Sequence, residues 1–176
     1  MSWFLAALVV LVLIGFLLSW TATRVDRLHH RLEGARSALD AQLYRRSGEA
    51  LEVATSGLLD PASSLLLAEA AREARSASEE SREVAESNLT KALAAAFDDP
   101  ETRMELEQRP GADELLGELW GACRRVELAR RFHNDTVATT RALRSRRMVR
   151  WFRLAGHAQM PQTIELDDTP PAGLAP

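Results

Sequence analysis

Six arginines fall within thirteen residues near the end of the chain: Arg141, Arg144, Arg146, Arg147, Arg150 and Arg153. They are interleaved with Met148, Val149, Trp151, Phe152 and Leu154. Guanidinium forks donate to phosphate or carboxylate oxygens, and aromatic rings beside them suit the boundary between headgroups and acyl chains. The stretch 141–154 therefore has the chemistry to grip anionic lipid or an acidic protein surface. The competing reading is structural. Arginines at a helix C-terminus complement its dipole and can pair with acids such as Glu49, Glu52, Glu69 and Glu73, while Trp151 and Phe152 cap a core.

Other reactive side chains are sparse. Asp26-x-x-His29 and His30-x-x-Glu33 have a spacing compatible with one metal ligand pair, but a di-metal site between helices needs further Glu-x-x-His pairs, and the chain has none. His133 reads as a core or boundary residue. Cys123 lies between Ala122 and Arg124 in a helical pattern with no Gly-rich elbow, and no Gly-x-Ser-x-Gly, phosphate-cradling loop, zinc spacing or dinucleotide fingerprint occurs. No catalytic residue, metal site or cofactor is expected.

The elements that position these residues begin with the anchor. Residues 3–20 run apolar through Phe4, Leu13 and Phe16, with Trp3 and Trp20 at the two ends and the first charge at Arg24. Eighteen residues at about 1.5 Å each make roughly 27 Å of helix, near the hydrocarbon thickness of a bilayer. A cleavable secretory signal fits worse, since Ser19-Trp20-Thr21 is a poor cleavage site and no basic region precedes the apolar run. Arg24, Arg27, Arg31 and Arg36 follow the span, so the positive-inside tendency puts the rest of the chain in the cytoplasm. One cysteine gives no internal disulfide, in keeping with that side.

Past the anchor the pattern is helical throughout, and no segment is read as a strand. Val25, Leu28, Leu32, Ala35 and Leu39 recur at threes and fours, a seam that continues to Leu58. Asp60-Pro61 is an N-cap followed by proline at the first helical position, so one helix closes near Gly57 and a second starts at Pro61, running through Leu65 to Leu93. Asp99-Pro100 opens a short helix that Arg109-Pro110-Gly111 ends. A last long helix carries Leu115, Leu119, Ala122, Val126, Ala129, His133 and Val137 to about Arg147. The expected class is all-α: a transmembrane helix, then an antiparallel up-and-down bundle of three long helices plus one short one over residues 23–157. A Pro-rich acidic tail, 161–176, is expected to be disordered. With the chain leaving, returning and leaving again, Arg147 should lie some 45 to 55 Å from the bilayer.

Net charge is only −3, which argues against general nucleic-acid binding, but it is polarised. Residues 60–118 carry fifteen acids against six bases, and 130–153 carry eight arginines against Asp135 alone.

The stretch Val126 to Val137 resembles the Ala-Arg-x-x-Tyr-Asn-x-x-Val segment of LemA family proteins, with Ala129, Arg130, Asn134 and Val137 in register and His133 at the tyrosine position. Arg45-Arg46, the Ala-Arg pairs at 71–72 and 74–75, Asn88-Leu89 and the apolar exit with its acidic tail extend the resemblance over nearly the whole chain. Departures are Arg144-Ser145-Arg146-Arg147 in place of the family's Phe-Pro, and Leu154-Ala155-Gly156 at its Gly-Phe pair. The resemblance implies a single-pass bacterial inner-membrane protein with a cytoplasmic helical bundle and no established catalytic residues.

The expected function is non-catalytic: a scaffold holding an unidentified protein partner at the cytoplasmic face through Arg144, Arg147, Arg150, Trp151 and Phe152. The alternative is an anionic-lipid binder or membrane remodeller that uses 141–154. Homo-oligomerisation is left open.

Overall fold

The computed structural model describes residues 2–99, 104–106, 108–152 and 159–175, and among them every regular element is helical. In chain order these are α1 (Ser2–Thr55), α2 (Pro61–Ser76), α3 (Arg82–Phe97), α4 (Ala112–Arg144), α5 (Arg147–Trp151) and a 3-10 turn (Ala172–Leu174). Most of the short helix expected after Asp99-Pro100 lies outside the described residues, with only 104–106 seen as helical. The chain divides into two compact units: residues 1–36 with 133–163, and residues 37–132 with 164–176.

In the first unit, the N-terminal part of α1 has the length and composition to cross a membrane, with a mean hydropathy of 2.6 over its most apolar 18 residues. None of that window is buried. Trp3, Phe4, Leu13, Phe16 and Trp20 all stand exposed, as lipid-facing side chains would and as the core helix of a soluble protein would not. Just beyond, Val25 is buried in a small cluster with Leu143 and Val149, with Leu28 packed against it.

The second unit holds the larger core. Its α1 portion ends where Gly57 takes a left-handed φ of 81°, a conformation glycine adopts without steric cost. Asp60 then caps α2, its carboxylate accepting from the amides of Ala62 and Ser63, and Pro61 opens the helix as the sequence predicts. The bonds from Ser63 and Ala62 hold the Asp60 carboxyl below its ordinary range. Arg109 fastens the same loop by donating to the carbonyls of Gly57 and Leu58. Leu67, Ala71, Leu89, Leu93, Phe97, Leu119 and Cys123 join Ala50 and Val53 in the core.

Two expectations fail here. The stretch read as one helix from Pro61 onward is two, because Ala77 to Ser81 forms a turn in which the Ser78 hydroxyl accepts from the Ser81 amide. Serine hydroxyls compete with the helical ladder for backbone groups, and three serines in six residues end α2. This adds a reversal. The α1–α2 loop, the 77–81 turn and the α3–α4 connection make three, so α4 runs against α1: Leu119 and Cys123 join the cluster of Ala50 and Val53, while the later Val126 packs with the earlier Leu43 and Leu39.

The tail is the second. Residues 164–175 are packed rather than disordered: Ile164, Leu166, Asp168 and Leu174 are buried, and the 3-10 turn lies against α3.

Candidate functional site

The Arg/Trp segment belongs to the first unit. Helix α4 stops at Arg144, where the Ser145 hydroxyl turns back to the Ala142 carbonyl at 2.9 Å and the Arg146 amide bonds Leu143 at 3.2 Å. The chain restarts at once as α5. Among its described side chains Val149 points inward, 2% exposed, and joins Leu143 and Val25. Arg147, Arg150 and Trp151 stand at i, i+3 and i+4, one helix face, and line a cleft of about 360 Å³. Trp151 is 84% exposed and Phe152 51%.

The segment therefore does not lie at the far end from the apolar span, contrary to the expectation from sequence. Val25 lies five residues, about 7.5 Å of helix, beyond Trp20, and the segment packs beside it. The cause is the extra reversal at 77–81. Glu49, one of the acids expected to pair with the segment, meets Arg45 at 3.4 Å. Trp151 and Phe152 do not cap a core, since both are exposed. Arg141 and Arg144 act differently from their neighbours: each donates at 2.7 Å to a backbone carbonyl, of Pro161 and Gln159 respectively. Arg153, Leu154 and His157 lie outside the described residues, as does the Met148 side chain.

The four residues carrying the family resemblance divide between the units. Val137 is fully buried and Asn134 half-buried in the first; Ala129 packs on the Leu39–Val126 cluster in the second. Arg130, also in the second, grips Asp168 through Nε at 2.6 Å and Nη2 at 2.8 Å.

Near the anchor, His29 and His30 share Glu33, at 3.2 and 3.4 Å. One carboxylate between two exposed imidazoles is a surface polar contact, and among the described residues no three His, Cys, Asp or Glu side chains gather as metal ligands would.

Arg46, which composition alone would leave on a solvated helix face, is the largest fully buried side chain among the described residues, 1% exposed. Its Nη2 donates to the Glu86 carboxylate at 2.6 Å and to the Glu86 carbonyl at 3.0 Å, and Nη1 donates to Thr90 at 3.0 Å. Thr90 donates in turn to the Asp167 carbonyl at 2.6 Å. Burial pushes the Glu86 carboxyl above its ordinary range, against the pull of Arg46. The only signal in the sequence was position, since Arg46 follows Leu39 and Leu43 by seven and three along the seam. The same burial pushes the Cys123 thiol up to about 11, against the opposing pull of Arg46 and Arg125. A thiol so placed stays protonated at neutral pH and is a poor nucleophile.

No family model matches the chain, and no curated protein or solved structure is detectably similar to it.

Proposed function

We propose that this chain is a single-pass protein of the bacterial inner membrane, of LemA type, whose cytoplasmic body is a helical bundle. Its work is non-catalytic: Arg147, Arg150 and Trp151 dock on anionic headgroups of the leaflet that the anchor crosses. The observation that carries this reading is the burial of Leu143 and Val149 against Val25, which sets an exposed guanidinium and indole face one to two turns from the end of the apolar span. Exposed indole rings favour the headgroup boundary, and each arginine near an anionic surface contributes roughly 1 kcal/mol of attraction. Arg24, Arg27, Arg31 and Arg36 on the same flank give the orientation.

The scaffold reading draws support from the exposed Leu65 and Leu66 on α2, a surface suited to protein contact. The experiment that separates the two is photo-crosslinking in living cells from a reactive amino acid at position 151. Lipid adducts are the expected product. A discrete protein adduct in their place would overturn the lipid reading in favour of a scaffold.

A further inference from the structure

The tail does more than cover the second unit; it occupies a groove in the manner of a bound peptide. Residues 164–168 alternate in burial, with Ile164, Leu166 and Asp168 buried and Glu165 and Asp167 exposed. The period of two sends alternate side chains inward. Ile164 and Leu166 pack with Leu39, Leu43 and Val126, and Asp168 meets Arg130 in a two-point fork, a geometry that selects a carboxylate. The tail's backbone is bound by side chains from one face of α3. Glu83 accepts the Glu165 amide at 3.1 Å, Ser87 accepts the Asp167 amide at 3.0 Å, and Thr90 donates to the Asp167 carbonyl. At the far end Asp98 accepts the Ala172 amide at 2.9 Å, and Leu174 enters the main core.

These contacts read a sequence: two branched apolar residues two apart, an aspartate two further on, and a glycine-leucine anchor. We propose that this groove is a homotypic recognition site, which takes the 164–175 segment of a second copy of the chain in exchange for its own. Every groove contact would be identical in cis and in trans, so the balance is set by the local concentration of neighbouring copies against that of the tethered segment. A tethered segment experiences an effective concentration in the millimolar range, and the membrane anchoring proposed above confines copies to one plane. Crossing to a neighbour would release the bonds from Arg141 and Arg144 to the Pro161 and Gln159 carbonyls, after which the eleven residues 153–163, which join α5 to the strap, reach at most about 40 Å.

Two full-length chains with different tags, one carrying Ser87→Cys and the other Asp167→Cys, are co-expressed and oxidised in the membrane. A disulfide-linked heterodimer is expected, and adding Asp168→Asn to the second chain should lower its yield at least tenfold. The double variant in a single chain controls for geometry and folding. If that chain closes on itself while the mixed pair gives no heterodimer, the strap is confined to its own groove and the proposal fails. It fails equally if Asp168→Asn leaves the yield unchanged, or if Ser87→Cys links instead to a different protein. As a readout without cysteines, co-purification of the two tagged chains should fall at least tenfold when both carry Arg130→Ala; undiminished recovery overturns the exchange. The lipid reading can fail while this result stands, since the groove does not involve Arg147, Arg150 or Trp151.

Discussion

Arg46 and Glu86 form an ion pair at 2.6 Å with side chains 1% and 3% exposed, and the Arg46 Nε beside it has no hydrogen-bond partner. A pair so buried is held against the cost of removing two charges from water. Arg46→Met leaves the Glu86 carboxyl without its counter-charge and should cost about 3–5 kcal/mol, whereas Arg46→Met with Glu86→Leu should come within about 1 kcal/mol of the natural chain or exceed it. Denaturant melts of the three proteins check this.

The same pair sets a pH dependence. Burial raises the Glu86 carboxyl above its ordinary 4.5, so the folded state binds the proton more tightly than the unfolded chain does. This contribution to stability is fully present below 4.5 and is lost as pH rises through the folded value. Melts across that window should show the fall in the natural chain, a steeper fall in Arg46→Met, and its loss in Glu86→Gln.

Cys123 should resist alkylation. Raising a thiol from 9.0 to about 11 lowers its thiolate fraction at neutral pH about a hundredfold, and the side chain is 1% exposed. Maleimide labelling of the native protein should therefore be at least a hundredfold slower than in denaturant. Fast labelling of the folded chain would mean the core around Leu119 and Ala50 opens readily.

How much was legible follows from where the information lay. The apolar N-terminal helix could be read because apolar residues over eighteen positions have few structural uses, and the Gly57 to Pro61 stop because a left-handed glycine and an N-capping aspartate followed by proline leave little choice. The turn at 77–81 was hidden: Ala77, Glu79 and Glu80 are compatible with helix, and only the serines argue otherwise. That one local ambiguity had a global cost, since a missed reversal inverts every later helix and moved Arg147 from beside Val25 to a distant end. In the tail, Ile164-Glu165-Leu166-Asp167-Asp168 does carry the alternation of a half-buried strand, but prolines and acids on either side masked it. Arg46 could not be identified as buried from composition, because its partner lies forty residues away on α3.

Gly173 should tolerate no side chain. A Cβ there would stand 1.5 Å from the Phe97 carbonyl oxygen, on backbone that cannot swing aside. Gly173→Ala should lift the 3-10 turn from α3 and expose Leu174, now 5% exposed, forfeiting roughly 1.5–3 kcal/mol of local burial. Hydrogen exchange at residues 172–175 should accelerate at least tenfold, while the amides of α2 stay protected.

The arginine face can be tested on the whole protein in lipid. Arg147 and Arg150 are exposed, so replacing both by alanine removes charge without opening the Val25–Val149 cluster. At about 1 kcal/mol each, their loss should reduce the preference of the cleft for phosphatidylglycerol over phosphatidylcholine roughly thirtyfold. Trp151 reports it: in nanodiscs containing brominated phosphatidylglycerol, the quenching that disappears in Trp151→Phe should weaken in the double variant. Raising salt should weaken it in the natural chain as well, because charges at a wet surface are screened within about 8–10 Å at 0.1–0.15 M. Quenching that survives both changes would show that the indole is held at the interface by apolar burial alone, and the arginines would then owe their place to something other than lipid charge.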